Sequence, residues 1–185
     1  MIEIRPYTPP RAEELNQLTG PFTCTDFFRV GWQDGPERSA FALELVPLAE
    51  PHTHHYTHID EDWVRQYLAP AGYCFGAFED GQLLGVLIGE ARAWNDTLWI
   101  WEFHVAAGRR GQGIGRMLME HAAAWAEERG LRAIVCETQN RNSAAIKAYR
   151  RLGFALEGVD ISYYTNRDYP DGDVAVFMKR RLAAG

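Results

Sequence analysis

The chain is poor in the features that mark most broad protein classes. It contains no run of about 18 apolar residues, so a membrane-spanning helix is not expected. Its first ten residues, MIEIRPYTPP, have neither a basic head nor an apolar signal core. Cysteine is scarce. Cys24, Cys74 and Cys136 are far apart and form no Cys-x-x-Cys pair, which points to reduced thiols and a cytoplasmic protein. Positive charge is in deficit: the formal net charge of −6 argues against general nucleic-acid binding and is compatible with a cationic substrate. Internal repeats, low-complexity tracts and domain-splitting linkers are absent. With 185 residues, 46% of them apolar, one domain spanning 1–185 with a real core is expected.

Two common phosphate loops are also missing. No Gly-x-x-x-x-Gly-Lys-Ser/Thr run exists. The dinucleotide spacing Gly-x-Gly-x-x-Gly fails twice: from Gly111 the third position is Arg116, and from Gly113 it is Leu118. What is present is Arg-Arg-Gly-Gln-Gly-Ile-Gly-Arg at 109–116, between an apolar β-like run (Thr97 to Val105) and an amphipathic stretch (Ile114 to Arg129). Glycines at alternate positions let a backbone pass close to a ligand. A helix N-terminus offers unpaired N–H groups and a positive dipole end to an anion. Arg109, Arg110 and Arg116 add charge of the sign a pyrophosphate attracts.

The rest of the chain reads as alternating short elements. A strand is expected over Ile2–Pro6 and a helix over Arg11–Leu18, while 20–36 gives no clear pattern. AFALELV (Ala40 to Val46) reads as a strand, and the histidine-rich stretch 50–58 as a loop. Asp60 is a candidate N-cap for a helix bearing Trp63, Val64, Tyr67 and Leu68. Asp80-Gly81 marks a tight hairpin turn. A helix is expected to close at Gly130, then a buried strand LRAIVCE, then a helix capped by Asn142 or Ser143 and ended by Gly153. Strands are expected over Phe154–Tyr164 and Val174–Lys179. The order predicts an α/β fold: a mixed, mostly antiparallel sheet with helices on both faces and a split between its two central strands.

Three segments, WIWEFHV, RRGQGIG and CETQNRNSAAIKAYRRLGF, together resemble the GNAT superfamily of N-acetyltransferases from about Leu98 to Lys179. The resemblance implies acetyl-CoA as co-substrate, held by an acetyl-CoA-binding core at 98–180. Backbone groups of Phe103 and Val105 would pair with pantetheine. Backbone N–H groups of Arg110, Gly111, Gln112, Gly113, Ile114 and Gly115, followed by Arg116, would hold the pyrophosphate. Asn142 and Ala145 would contact the cofactor arm, and Tyr149 would lie near the thioester sulfur.

An ammonium group cannot attack a thioester until it loses a proton. Glu137 is the first candidate base, twelve residues before Tyr149; a matching pair occurs in the ribosomal-protein alanine N-acetyltransferases. Glu102 is the rival base. A backbone N–H near Val105 would stabilise the oxyanion. Tyr149, with an unperturbed pKa of ~10, would protonate the thiolate or donate a hydrogen bond to it. Cys136 should face the core if Glu137 faces the cleft, which leaves direct transfer. His52, His54, His55 and His58 have no carboxylate or cysteine at a metal-motif spacing and read as an exposed substrate-side loop, so no metal is expected. Trp94, Trp99 and Trp101 either line an acceptor site or fill a strand core.

FFRVG, AFALELV followed by Pro47, Glu137-Thr138-Gln139, Gly158-Val159-Asp160 and Tyr164-x-Asn166 further resemble the streptothricin acetyltransferases. That resemblance implies a small cationic amine as acceptor, with residues 1–70 on the substrate side. Peptide N-terminal acetylation and a non-catalytic acyl-CoA sensor remain alternatives, and a homodimer is left open.

Overall fold

The computed structural model describes residues 1–183. Its contacts divide the described residues into two compact units, one of 1–21, 55–136 and 180–183, the other of 22–54 and 137–179.

The first unit begins with strand β1 (Glu3–Pro6) and helix α1 (Ala12–Leu18). It resumes with α2 (Glu61–Trp63), which runs on as one π-helical turn at Val64–Leu68. The Asp60 carboxylate accepts from the Trp63 N–H at 2.7 Å, the expected cap. Strands β4 (Gly72–Glu79), β5 (Gln82–Arg92) and β6 (Thr97–Val105) form an antiparallel meander, with β1 paired to β4. The β4–β5 turn is the predicted Asp80-Gly81, both at positive φ (50° and 81°), which matches the right-handed twist of a two-residue hairpin. Helix α3 (Ile114–Glu127) leads to β7 (Ala133–Gln139), whose first residues pair parallel to β6 from Thr97↔Ala133 to Trp99↔Val135.

Alternation along β5 places helices on both faces of this sheet. Val86 and Ile88 join a buried cluster with Leu15, Leu18, Val64 and Leu68. Gly85 points the other way, and a Cβ there would stand 3.2–3.3 Å from Leu118 and Ile114 of α3. Adjacent strand residues face opposite sides, so α1 and α3 cover opposite faces.

The second unit contains the hairpin β2 (Phe22–Gln33) and β3 (Ala40–His54), helix α4 (Ser143–Arg151), strand β8 (Ala155–Asp160) and all but the last two residues of strand β9 (Ala175–Arg181), which is antiparallel to β8. Strand β7 carries the chain from one unit into the other. Through it the hydrogen-bonded order reads β1-β4-β5-β6-β7-β9-β8. This is the expected α/β mixed, mostly antiparallel sheet.

The sequence reading needs correction at three places. Residues 22–33, unassigned from sequence, form a twelve-residue strand. Its partner β3 runs to His54, so the first part of the presumed histidine loop is strand. Pro47 and Pro51 hid this, but a two-stranded ribbon tolerates missing donors, and its ladder shifts register between Cys24 and Asp26. The strand expected over Phe154–Tyr164 stops at Asp160, where a turn begins. The last strand, β9, lies between β7 and β8, and β8 is the edge.

Buried Asn140 secures the second unit. Its amide donates to the Phe28 carbonyl (2.8 Å) and accepts from the Val174 N–H (2.8 Å). Its backbone also bonds both segments. One side chain thereby joins β2, β7 and the start of β9.

Candidate active site

In the first unit, β6 leads through a 3₁₀ turn (Ala107–Arg109) into the glycine loop. Gly111 and Gly113 lie at φ +77° and +88°, where a side chain would be strained, and their Cβ positions are open. Gly113 caps α3 without a side-chain hydrogen bond, and the first turn holds no acidic residue. The first intrahelical bond runs from Met117 N–H to Gly113 C=O (3.0 Å), so the preceding N–H groups have no acceptor within the helix. Gly115 serves another purpose. A Cβ there would be 3.2 Å from Phe103 Cζ and 3.7 Å from Val105 Cγ2, so its lack of side chain seats α3 on β6.

The arginines divide likewise. Arg109 pairs with Glu79 at 2.5 Å. Arg110 Nε donates to the Val105 carbonyl (3.1 Å) and its guanidinium also reaches the Gly20 carbonyl (3.4 Å). These two side chains brace the loop. Its backbone N–H groups and the helix end are the groups left bare.

Glu102 follows a bulge in β6, where Ile88 faces Glu102 but Gly89 faces Ile100, leaving Trp101 extra. Its carboxylate Oε2 lies 2.6 Å from His104 Nε2, and both side chains are largely buried. The Tyr56 ring meets His104 edge-on at 5.1 Å. Nearby, Trp101 packs on Trp63 and Tyr67 (6.2 and 5.7 Å), and Arg92 lies over Trp99 at 3.9 Å. Trp94 is 81% exposed.

In the second unit, Glu137 is half-buried on β7 while its neighbour Cys136 is fully buried, the alternation the sequence implied. The Tyr164 hydroxyl donates to Glu137 Oε1. Burial pushes the Glu137 carboxyl above the usual carboxylate range, and the Tyr164 hydrogen bond partly offsets this. Burial, together with the hydrogen bond to Glu137, pushes the Tyr164 hydroxyl far up, so it stays protonated.

A clamped loop positions Tyr164. Asp168, 4% exposed, accepts from Tyr164 N–H (2.7 Å), Thr165 N–H (2.9 Å) and the Thr165 hydroxyl (2.6 Å). Burial raises the Asp168 pKa, but these hydrogen bonds outweigh it and hold the carboxyl below its ordinary value. Beside the loop is a cavity of about 310 Å³ lined in part by Gln139, Tyr164, Arg167 and Asp173.

Asn142 caps α4 as expected, its Oδ1 accepting from Ala145 N–H at 3.0 Å. Tyr149 is buried against Phe154, with ring centroids 5.2 Å apart. Lys147 on the same helix grips both carboxylate oxygens of Asp26 at 2.7 and 2.6 Å. His52 and His54 pack edge to face at 4.4 Å, and among the described residues no group of three or more His, Cys, Asp or Glu could hold a metal ion. No helix among the described residues is long and apolar enough to cross a membrane.

Sequence reasoning singled out Glu137, Glu102, Asn142 and the loop as candidates, but not His104 as the partner of Glu102, nor Tyr164 and Asp168 beside Glu137. Tyr164 entered only through a family resemblance. An aspartate four residues after it, a residue type common in turns, was the one available signal.

Residues 37–154 match the model of the Acetyltransferase (GNAT) family, to which the chain belongs, so the class is an acyl-transfer protein of α/β type. It is an N-acetyltransferase, as the sequence implied. It is 37% identical to streptothricin acetyltransferase from Streptomyces lavendulae over 95% of this chain and 93% of that protein. The solved structure of nourseothricin acetyltransferase matches with a TM-score of 0.81 at 34% identity, covering 98% of this chain and 99% of that one. A Bacillus anthracis protein named for streptothricin acetylation, solved in complex with acetyl coenzyme A, has a TM-score of 0.75 over 98% of this chain and 100% of its own. At 22% identity the latter speaks for the fold alone.

Proposed function

We propose that this protein moves an acetyl group from acetyl-CoA directly to a primary amine of a small cationic, streptothricin-like acceptor. The observation that carries this reading is the 37% identity to a streptothricin acetyltransferase along 95% of the chain, well beyond the glycine loop. We assign acceptor recognition chiefly to residues 1–70 and donor binding to 98–180. The three free, buried cysteines support a reducing, cytoplasmic setting.

The residues fit the donor. The bare N-terminus of α3 suits a pyrophosphate, with the backbone of Arg110, Gly111, Gln112, Gly113, Ile114 and Gly115 and the following Arg116 as its cradle. Phe103 and Val105 would offer backbone groups to pantetheine. The Val105 carbonyl already accepts from Arg110, but a carbonyl oxygen has a second lone pair. Asn142 and Ala145 open α4 on the cofactor arm. Acetyl-CoA supplies an activated thioester; the chain's own residues must manage protons and orientation.

Glu137 takes the proton from the acceptor ammonium. A carboxylate whose pKa is raised by burial is a stronger base near neutral pH than an exposed one. Tyr149 donates to the departing sulfur. The Glu102–His104 pair is the competing base, and its 2.6 Å contact would let His104 relay a proton from Glu102.

Thiol release measured with streptothricin, aminoglycosides, polyamines and N-terminal peptides tests the acceptor. Turnover is expected with streptothricin. Turnover only with peptides would replace this reading by N-terminal peptide acetylation, and acetyl-CoA binding without any turnover would replace it by a sensor.

A further inference from the structure

We propose that Tyr164 is a positioning residue: its hydroxyl aims the Glu137 carboxylate and keeps it ionised so that it can accept the acceptor's proton. This rests on Glu137 being the base.

Three observations converge. The Tyr164 hydroxyl donates directly to Glu137 Oε1. A donor to a carboxylate favours the ionised form and fixes which lone pairs stay open for a substrate proton. Burial works against ionisation at Glu137, so a buried base of this kind needs such a donor. The hydroxyl itself stays protonated through any working pH and therefore remains a donor.

The second observation is how Tyr164 is held. The Asp168 carboxylate takes the N–H of Tyr164 and both donors of Thr165, and the Asp168 carbonyl accepts from Gly172 N–H at 2.8 Å. The loop is thus closed by its own hydrogen bonds. The bond from Tyr164 to Glu137 is not needed to hold it, which leaves the hydroxyl available for a role at Glu137.

Third, Tyr164 lines the cavity beside the loop, together with Gln139, two residues after Glu137 on β7. A small polar acceptor arm entering this cavity would meet Tyr164, the hydrogen-bond partner of Glu137. The other ionisable groups acting on Tyr164 are Asp173 and Tyr163, and both reinforce its protonated form. Arg167 and Asp168 complete the charged lining of the cavity.

The test is Tyr164→Phe, which keeps the ring and its edge contact with Tyr163 (5.2 Å) but removes the donor. Two readouts are needed: the pH profile of kcat/KM, and the titration of the Glu137 carboxyl carbon by NMR in acetyl-CoA-free enzyme. We expect both the acidic limb and the carboxyl titration to move up by about one to two pH units, as for loss of a hydrogen bond to a charged group. In a Glu137→Gln background, Tyr164→Phe should add little further loss. A pH-independent drop in kcat/KM with an unmoved Glu137 titration would overturn the proposal and leave Tyr164 a loop residue. A moved titration with an unmoved acidic limb would instead show that the hydrogen bond works but that Glu137 is not the base, which overturns the reading on which the proposal rests.

Discussion

Glu137 illustrates how a single residue can carry opposite demands. Its folded-state pKa lies above the unfolded value because burial disfavours the carboxylate. Protonation therefore favours the folded form: the contribution to stability is fully present below the unfolded pKa and is lost as pH rises through the folded one. Near neutral pH the ionised carboxylate costs stability while serving as base. Glu137→Gln should accordingly lower kcat by roughly 10²–10⁴, remove the acidic limb of the pH–rate profile, and raise Tm at neutral pH. The Tm difference should close as the pH falls toward roughly 4. A lowered Tm at neutral pH would place the dominant effect in hydrogen bonding rather than desolvation; an unchanged pH profile would shift the base to Glu102 with His104. The Glu137–Cys136 alternation was legible from strand periodicity alone. The partner of Glu137 was not, because Tyr164 lies 27 residues further on, in a loop whose path is set by Asp168.

Elements were legible in proportion to how one-sided their burial is. Helix α3 puts Ile114, Leu118 and Ala122 against the sheet, so its period shows in the sequence. Strand β3 is exposed along most of its length, and a strand that buries little leaves no hydrophobic alternation to read. At α4 the capping pattern left Asn142 and Ser143 open and the structure puts the cap on Asn142, the residue the family resemblance gave to the cofactor. The two roles separate by substitution. Asn142→Ala should cost about 1 kcal/mol of stability through the lost cap. Asn142→Ser, which retains a capping oxygen but loses the amide, should recover most of that stability in urea unfolding. If Asn142 also holds the cofactor arm, the KM for acetyl-CoA stays raised in the serine variant; a KM that recovers with stability would leave Asn142 only a cap.

Over the whole molecule, the pH dependence of stability combines groups of opposite sign. Asp26, hydrogen-bonded by Lys147 and Ser143, and Glu120, hydrogen-bonded by Arg180 at 3.1 and 2.8 Å, both have carboxyls held below their ordinary pKa. Their contribution is present above the unfolded carboxylate value of ~4 and is lost as pH falls through the lower folded value. We expect Tm to fall on acidification through that window, and Asp26→Asn to flatten the fall. Equal slopes in the two proteins would show that the Lys147 contact joining α4 to β2 contributes little.

The sequence by itself determined the class of fold, the turn at Asp80-Gly81, the capped starts of α2 and α4, and the glycine loop with its bare helix end. These depend on local backbone chemistry and on periodicity, which neighbouring residues carry. The tertiary structure decided what each of those parts is bonded to. It spent Arg109 and Arg110 on bracing the loop, gave Gly115 to helix–sheet packing, paired Glu102 with His104, and set Tyr164 on Glu137. The physical reason is the same throughout. A hydrogen bond or a packing contact between residues distant in the chain depends on where the backbone returns in space, and in a sequence such partners have no spacing that marks them.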